Sequence, residues 1–442
     1  AVTDVSLARQ YIDRILYPDH KLTQMHKRWL NYTLKMVVGS LLSRCAPERQ
    51  GEFLSLFLSH FTGAEAMDDT TAFTLLDAAA QLPLDCCTPE QLETLLRFAA
   101  ALSHREAVNV RAAALELLTV LALEGTGREE ALSLLSAMPL SDSRSLSLQR
   151  QYALRRLRDG HEDDVIAALE DEDISEIFLE NLKAATPWII KKGNIRLLTV
   201  FARLEPSYHL HIATHLSNLL MVSEQVTIRR TAGNALLAIA PLLSRDQRSE
   251  VAVELTRGLE TGQQEFSKYI PSFLGQFYLF LPPAQLEERL LELQDTLCSA
   301  NSAIVAAALA TVGVVYENYG AYRQRFPEAD GDYRSRRERL LGMLLKGLAG
   351  FRSEVRQEAL QVIGESVFGS PVLSEHEKRQ AFLLTSKKLL FLMRENGGGG
   401  LTFFYRAAAM SRIYRFITEE ELLRRGFQFE ERRKIAFFPG TF

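Results

Sequence analysis

Cysteine is scarce. Cys45, Cys86, Cys87 and Cys298 are the only four among 442 residues. They show no ligand spacing, and the vicinal pair Cys86 and Cys87 cannot readily bridge itself. No disulfide framework can be drawn, so a reduced, cytoplasmic compartment is expected. Glycine (25) and proline (14) are also few, which excludes collagen-like and low-complexity chains. Neither sign of charge dominates: 51 Lys plus Arg stand against 55 Asp plus Glu, a formal net charge of −4. That balance argues against a dedicated nucleic-acid coat protein, though not against a local basic patch. Long apolar runs are missing too. The most apolar stretch, AIVAAALATVGVV (303–315), is too short and Ala-rich to span a bilayer, so no membrane partner is expected. The opening AVTDVSLARQYIDR is amphipathic and holds no apolar leader core. Its start at Ala1 in place of Met is what a processed or trimmed chain would show.

Conventional catalytic signatures are also lacking. There is no Walker loop, H-E-x-x-H, G-x-S-x-G or paired C-x-x-C. The tetraglycine 397–400 lacks a following Lys-Ser/Thr, so it is no phosphate loop.

What is present is helical period. The chain is 47% hydrophobic, too apolar for disorder. Leu and Ala recur at i, i+3, i+4 and i+7 in ERQGEFLSLFLSHF, PEQLETLLRFAAAL, VRAAALELLTVLAL and EERLLELQDTL. Thr88-Pro89-Glu90-Gln91 reads as a helix start, with a capping Thr, Pro at the first helical position and Gln three residues on. Ser374–Glu377 and Thr418–Glu421 read as capping boxes. These signals predict an all-α chain of about twenty helices.

The helices repeat. Val110-Arg111-Ala112-Ala113-Ala114, Ile228-Arg229-Arg230-Thr231-Ala232, Ile304-Val305-Ala306-Ala307-Ala308 and Val355-Arg356-Gln357-Glu358-Ala359 share an aliphatic residue, usually an Arg, and a small residue before an apolar ladder. The anchors at 110, 228, 304 and 355 are separated by 118, 76 and 51 residues. The first two gaps are three and two units of roughly 38–39 residues. The third is one unit plus an insertion, for which 320–338 is the candidate. A weaker copy, SLQRQYALRRL, occupies 147–157. This pattern resembles the HEAT and armadillo families, which stack two-helix units into an α-α superhelix, and the resemblance covers about 40–390. It implies a solenoid that binds other proteins, in which the small Ala permits close helix approach and the Arg ties a loop. The copies depart from the family in lacking the Asp that usually precedes the aliphatic residue, and Val305 replaces one Arg.

The far C-terminus changes character. After Gly397–Gly400 come FFYRAAAMSRIYRFI (403–417), a helix start at Thr418 and the linker FQFEERR; the chain closes KIAFFPGTF. Ile435–Phe438 is the one strand-type run, and it enters Pro439-Gly440-Thr441-Phe442. A strand running into a glycine turn resembles the opening of the nucleotidylyltransferase (cytidylyltransferase-like) superfamily. PGTF is closer to its pantetheine-phosphate than to its nicotinate-nucleotide adenylyltransferases. The resemblance covers eight residues. It implies that Gly440, Thr441 and Phe442 approach a nucleotide triphosphate, with ATP or CTP and Mg serving a following catalytic domain; no cofactor is implied for the residues before it. The family's Asp-Pro and histidines have no counterpart here. The alternative is an ordinary apolar tail packed on the last helix.

Three further clusters have a functional and a plainer reading. His209, His211 and His215 place two imidazoles four apart on a helix, where they would share a metal or stand as structural and surface residues. The segments 320–339 and 403–434 interleave Arg with Tyr and Phe. They would bind phosphates and stack bases, making the chain a nucleic-acid-binding repeat protein. The plainer readings are a solvated loop between repeats for 320–339 and interdomain packing, or an acidic partner, for 403–434. The acidic runs 162–164 and 170–173 read as solvated helix ends.

The expected organisation is a HEAT-like helical repeat domain at 1–393, a Gly-rich loop with linker helices at 394–434, and the start of a nucleotidylyltransferase domain at 435–442. The expected role is a non-catalytic scaffold whose partner is another protein or its own C-terminal catalytic domain.

Overall fold

The structure is a computed structural model. It describes residues 5–17, 47–125, 127–139, 143–159, 169–261, 269–350 and 352–382, with the single positions 34, 38, 42, 166, 167, 384 and 385. The described residues form helices and turns with no strand. The expected strand 435–438, the Gly440–Phe442 loop and the segment 394–434 lie outside the described residues.

Two compact units divide the chain, Ala1–Glu205 and Pro206–Phe442. The first holds α1 (Val5–Leu16), α2 (Pro47–Leu58), α3 (Asp69–Ala79), α4 (Pro89–Leu102), α5 (Val108–Leu123), α6 (Arg128–Ala137), α7 (Arg144–Asp159), α8 (Asp171–Leu182) and α9 (Trp188–Leu204). The second holds α10 (His209–Val222), α11 (Val226–Ile239), α12 (Arg245–Thr261), α13 (Ile270–Tyr278), α14 (Pro283–Thr296), α15 (Ser302–Arg325), α16 (Tyr333–Leu348) and α17 (Ser353–Val362), which runs into a π-helical turn at Ile363–Phe368.

Sequence sets where these helices start. Asp68 accepts from the N–H groups of Thr70 and Thr71 at the head of α3. Thr88 accepts from Gln91 N while Gln91 Oε1 accepts from Thr88 N, the expected reciprocal box on α4. Ser244 and Gln247 do the same for α12, and Ser374 and Glu377 for the helix at 375–382.

Within each unit a helix touches its sequence neighbour and the one after. In the first unit α3, α5, α7 and α9 pack in series, and α2, α4 and α6 run alongside. In the second, α11, α13, α15 and α17 make the inner series, each paired with α10, α12, α14 or α16. Contacts concentrated among near neighbours, with only a few longer ones such as α5 with α9, are the mark of a stacked α-α repeat. Every repeat anchor falls on an inner helix: Val110 on α5, the weak copy on α7, Ile228 on α11, Ile304 on α15 and Val355 on α17.

The inner helices are apolar nearly all round. On α5, Val110, Ala112, Ala113, Ala114, Leu117, Leu118 and Leu121 are all at most 3% exposed, so this helix is core on more than one side. Close approach also needs glycine. A Cβ on Gly275 of α13 would meet Val314 Cβ at 2.7 Å and the Thr311 carbonyl at 2.9 Å on α15.

The repeat arginines are structural. Arg111 is 4% exposed and donates to the carbonyls of Glu106 and Pro139; Arg229 is 1% exposed and donates to Ser223 O; Arg356 donates to Gly350 O at 2.8 Å. Each thus holds the loop that enters its own helix, and Arg111 also reaches the loop after α6. Burial pulls the Arg229 guanidinium down to about 10. Where Val305 replaces the Arg, the next repeat supplies one: Arg352 donates to the carbonyls of Ser299 and Ala300.

The expected insertion at 320–338 is corrected. It is no loop. α15 continues unbroken to Arg325, a 3-10 turn covers Pro327–Asp332, and α16 begins at Tyr333. The reason is the spacing of Tyr316, Tyr319 and Tyr322. These are at most 3% exposed and carry the buried face of the helix three turns beyond the anchor run. By length and composition α15 is apolar enough to cross a membrane, yet it packs against α13, α16 and α17 as the core helix of its unit.

Candidate protein-binding groove

The second unit presents an open groove of about 640 Å³ where α10, α12 and α14 lie side by side. Thr214 of α10 lines one wall and Gln285 of α14 the other; Asp246, Ser249, Glu250, Val253, Glu254 and Arg257 of α12 form the floor. The pattern is local. Asp246, Glu250 and Glu254 are four apart, so one helical face carries three carboxylates along about 12 Å of axis. The opposite face of α12, Val251, Ala252, Leu255 and Leu259, is at most 2% exposed and packs inward.

These carboxylates make no ion pair among the described residues. Burial, then the charge of Glu250, pushes the Glu254 carboxyl above the usual carboxylate range. With three carboxylates and one guanidinium, Arg257, along its floor, the groove carries an excess of negative charge. Chemically it can accept charge-assisted hydrogen bonds from Arg or Lys.

Elsewhere in the same unit cations have partners. Arg337, 8% exposed, pairs with Glu377 and lies 4.8 Å from the Tyr316 ring centroid. Glu377 also accepts from Tyr333 Oη at 3.2 Å and closes the Ser374 cap with its other oxygen. Those bonds and the Arg337 charge hold its carboxyl below the ordinary range despite burial. Arg339 pairs with Glu287, and Arg334 with Glu338. Arg325 stacks on Phe280 at 3.9 Å and donates to Leu279 O at 2.5 Å. Arg248 and Tyr322 take the next two carbonyls, Phe280 and Leu281. The basic-aromatic interleaving of 320–339 thus serves packing between α13, α15, α16 and the helix at 375–382.

The histidines share α10. His211 is exposed, and its ring lies 6.3 Å from that of Tyr208; His209 and His215 are half-buried. Burial pulls the His215 imidazole down to about 4, so it is neutral at neutral pH. Among the described residues no group of three or more His, Cys, Asp or Glu side chains converges as a metal site. Cys86, Cys87 and Cys298 are free thiols, and burial pushes Cys87 up to about 11. Of the acidic runs, 162–164 lies outside the described residues, while Asp171, Glu172 and Asp173 form the first turn of α8, where Arg144 pairs with Asp173. The nucleotide-loop residues Gly440, Thr441 and Phe442 lie outside the described residues.

No family model matches the chain, and no curated protein matches it. Solved structures that align with it include Kap121p (12% identity, TM-score 0.42, covering 98% of this chain and 53% of that one). Kap121p bound to Pho4p gives 12%, 0.43, 92% and 46% in the same order, and Kap121p bound to Nup53p gives 10%, 0.41, 95% and 50%. The chain spans about half the length of these structures. With TM-scores below 0.5 the overlap is long but loose, and it assigns no partner to this chain.

Proposed function

We propose that this chain is a non-catalytic helical-repeat scaffold that holds a basic protein segment in the groove of α10, α12 and α14. The observation that carries the reading is the run of Asp246, Glu250 and Glu254, which outnumber the groove's one cation, Arg257, and make no ion pair among the described residues, whereas Glu287, Glu338 and Glu377 are paired. A stacked repeat supports the same role, since its first helices form a continuous surface while its inner helices supply the core. The test uses a labelled nona-arginine peptide and fluorescence anisotropy at low salt. Binding weakens at least tenfold in Glu250→Lys/Glu254→Lys and steeply as salt rises. Equal binding by that variant overturns the reading.

The terminal KIAFFPGTF supports a second part of the proposal. The scaffold would stand N-terminal to a nucleotidylyltransferase domain, with Gly440, Thr441 and Phe442 opening its nucleotide loop and ATP or CTP with Mg serving that domain. Reading the gene past Phe442 tests this; the absence of Asp-Pro and a Gly-His soon after overturns it. A cytoplasmic setting belongs to the same reading and is supported by the sparse, free cysteines.

A further inference from the structure

We draw no further inference here: the strongest candidate, the cationic stripe of Lys192, Arg196 and Arg203 along α9 in the first unit, carries nothing because Glu116 already pairs with Lys192 and Arg196 and nothing in the structure shows what covers the face.

Discussion

Around α16, Arg337 faces Glu377, Arg339 faces Glu287 and Arg334 faces Glu338. On α12, two repeats earlier, Asp246, Glu250 and Glu254 line an open groove together with Arg257 and make no ion pair among the described residues. Both regions belong to one unit and lie on first helices of their pairs, so helix geometry alone cannot separate them. The difference lies in what surrounds each charge. Arg337 is enclosed by Tyr316, Tyr333 and Glu377, where an unpaired charge would cost several kcal/mol. The α12 carboxylates keep enough solvent to stay unpaired at small cost. Charge in the first region holds helices together, and charge in the second remains available to a ligand.

The largest expected effect lies in the paired region. Glu377→Ala removes both the partner of Arg337 and the Ser374 capping box, and costs on the order of 3 kcal/mol in urea unfolding. A loss below 1 kcal/mol would erase the contrast between the regions. Next comes the inner-helix contact that both regions share. Gly275→Ala drives a methyl into Val314 and the Thr311 carbonyl and costs about 2 kcal/mol. The groove should behave differently: Glu250→Gln and Glu254→Gln each change stability by less than about 0.5 kcal/mol.

Acid titration sharpens the comparison, because the signs oppose. Glu377 has a depressed folded value, so its stabilisation is complete above the ordinary carboxylate range and is lost as pH falls through that lowered value. Glu254 has a raised value, so the fold binds its proton more readily than the unfolded chain; its contribution improves as pH falls through the raised value towards the ordinary range. Glu377→Gln therefore flattens the acid loss of stability, whereas Glu254→Gln steepens it. His215 has a folded value near 4, below its unfolded one, so stability falls as pH drops from about 6.5 towards 4. His215→Gln removes that slope in urea midpoints measured across the window. An unchanged slope would show that the burial of this imidazole has no energetic consequence.

Much of the fold was legible in the sequence. Period, the Thr88 and Ser374 boxes and the Arg-bearing anchors all found their place, because each depends on residues close in the chain. The long α15 was not, since Tyr and Arg interleaved at 316–325 suit a basic-aromatic loop as well as a helix. Only packing against α13 and α16 shows that Tyr319 and Tyr322 point inward. The boundary at Glu205–Pro206 was likewise invisible within a repeating pattern. For the groove, the four-residue spacing of Asp246, Glu250 and Glu254 can be seen in RDQRSEVAVELTRGLET. Whether those carboxylates find cations depends on neighbouring helices, so spacing could not separate them from a solvated helix face.

The account turns on one paired measurement: nona-arginine affinity and urea stability, determined together for Glu250→Gln/Glu254→Gln and for Glu377→Gln. The predicted result is a crossing. The groove variant loses at least tenfold in affinity with its stability unchanged, and the Glu377 variant loses stability while the affinity of its folded form is kept. If both variants shift the same quantity, or the groove variant binds as well as the unaltered chain, the division between charge that builds the fold and charge held for a partner is wrong.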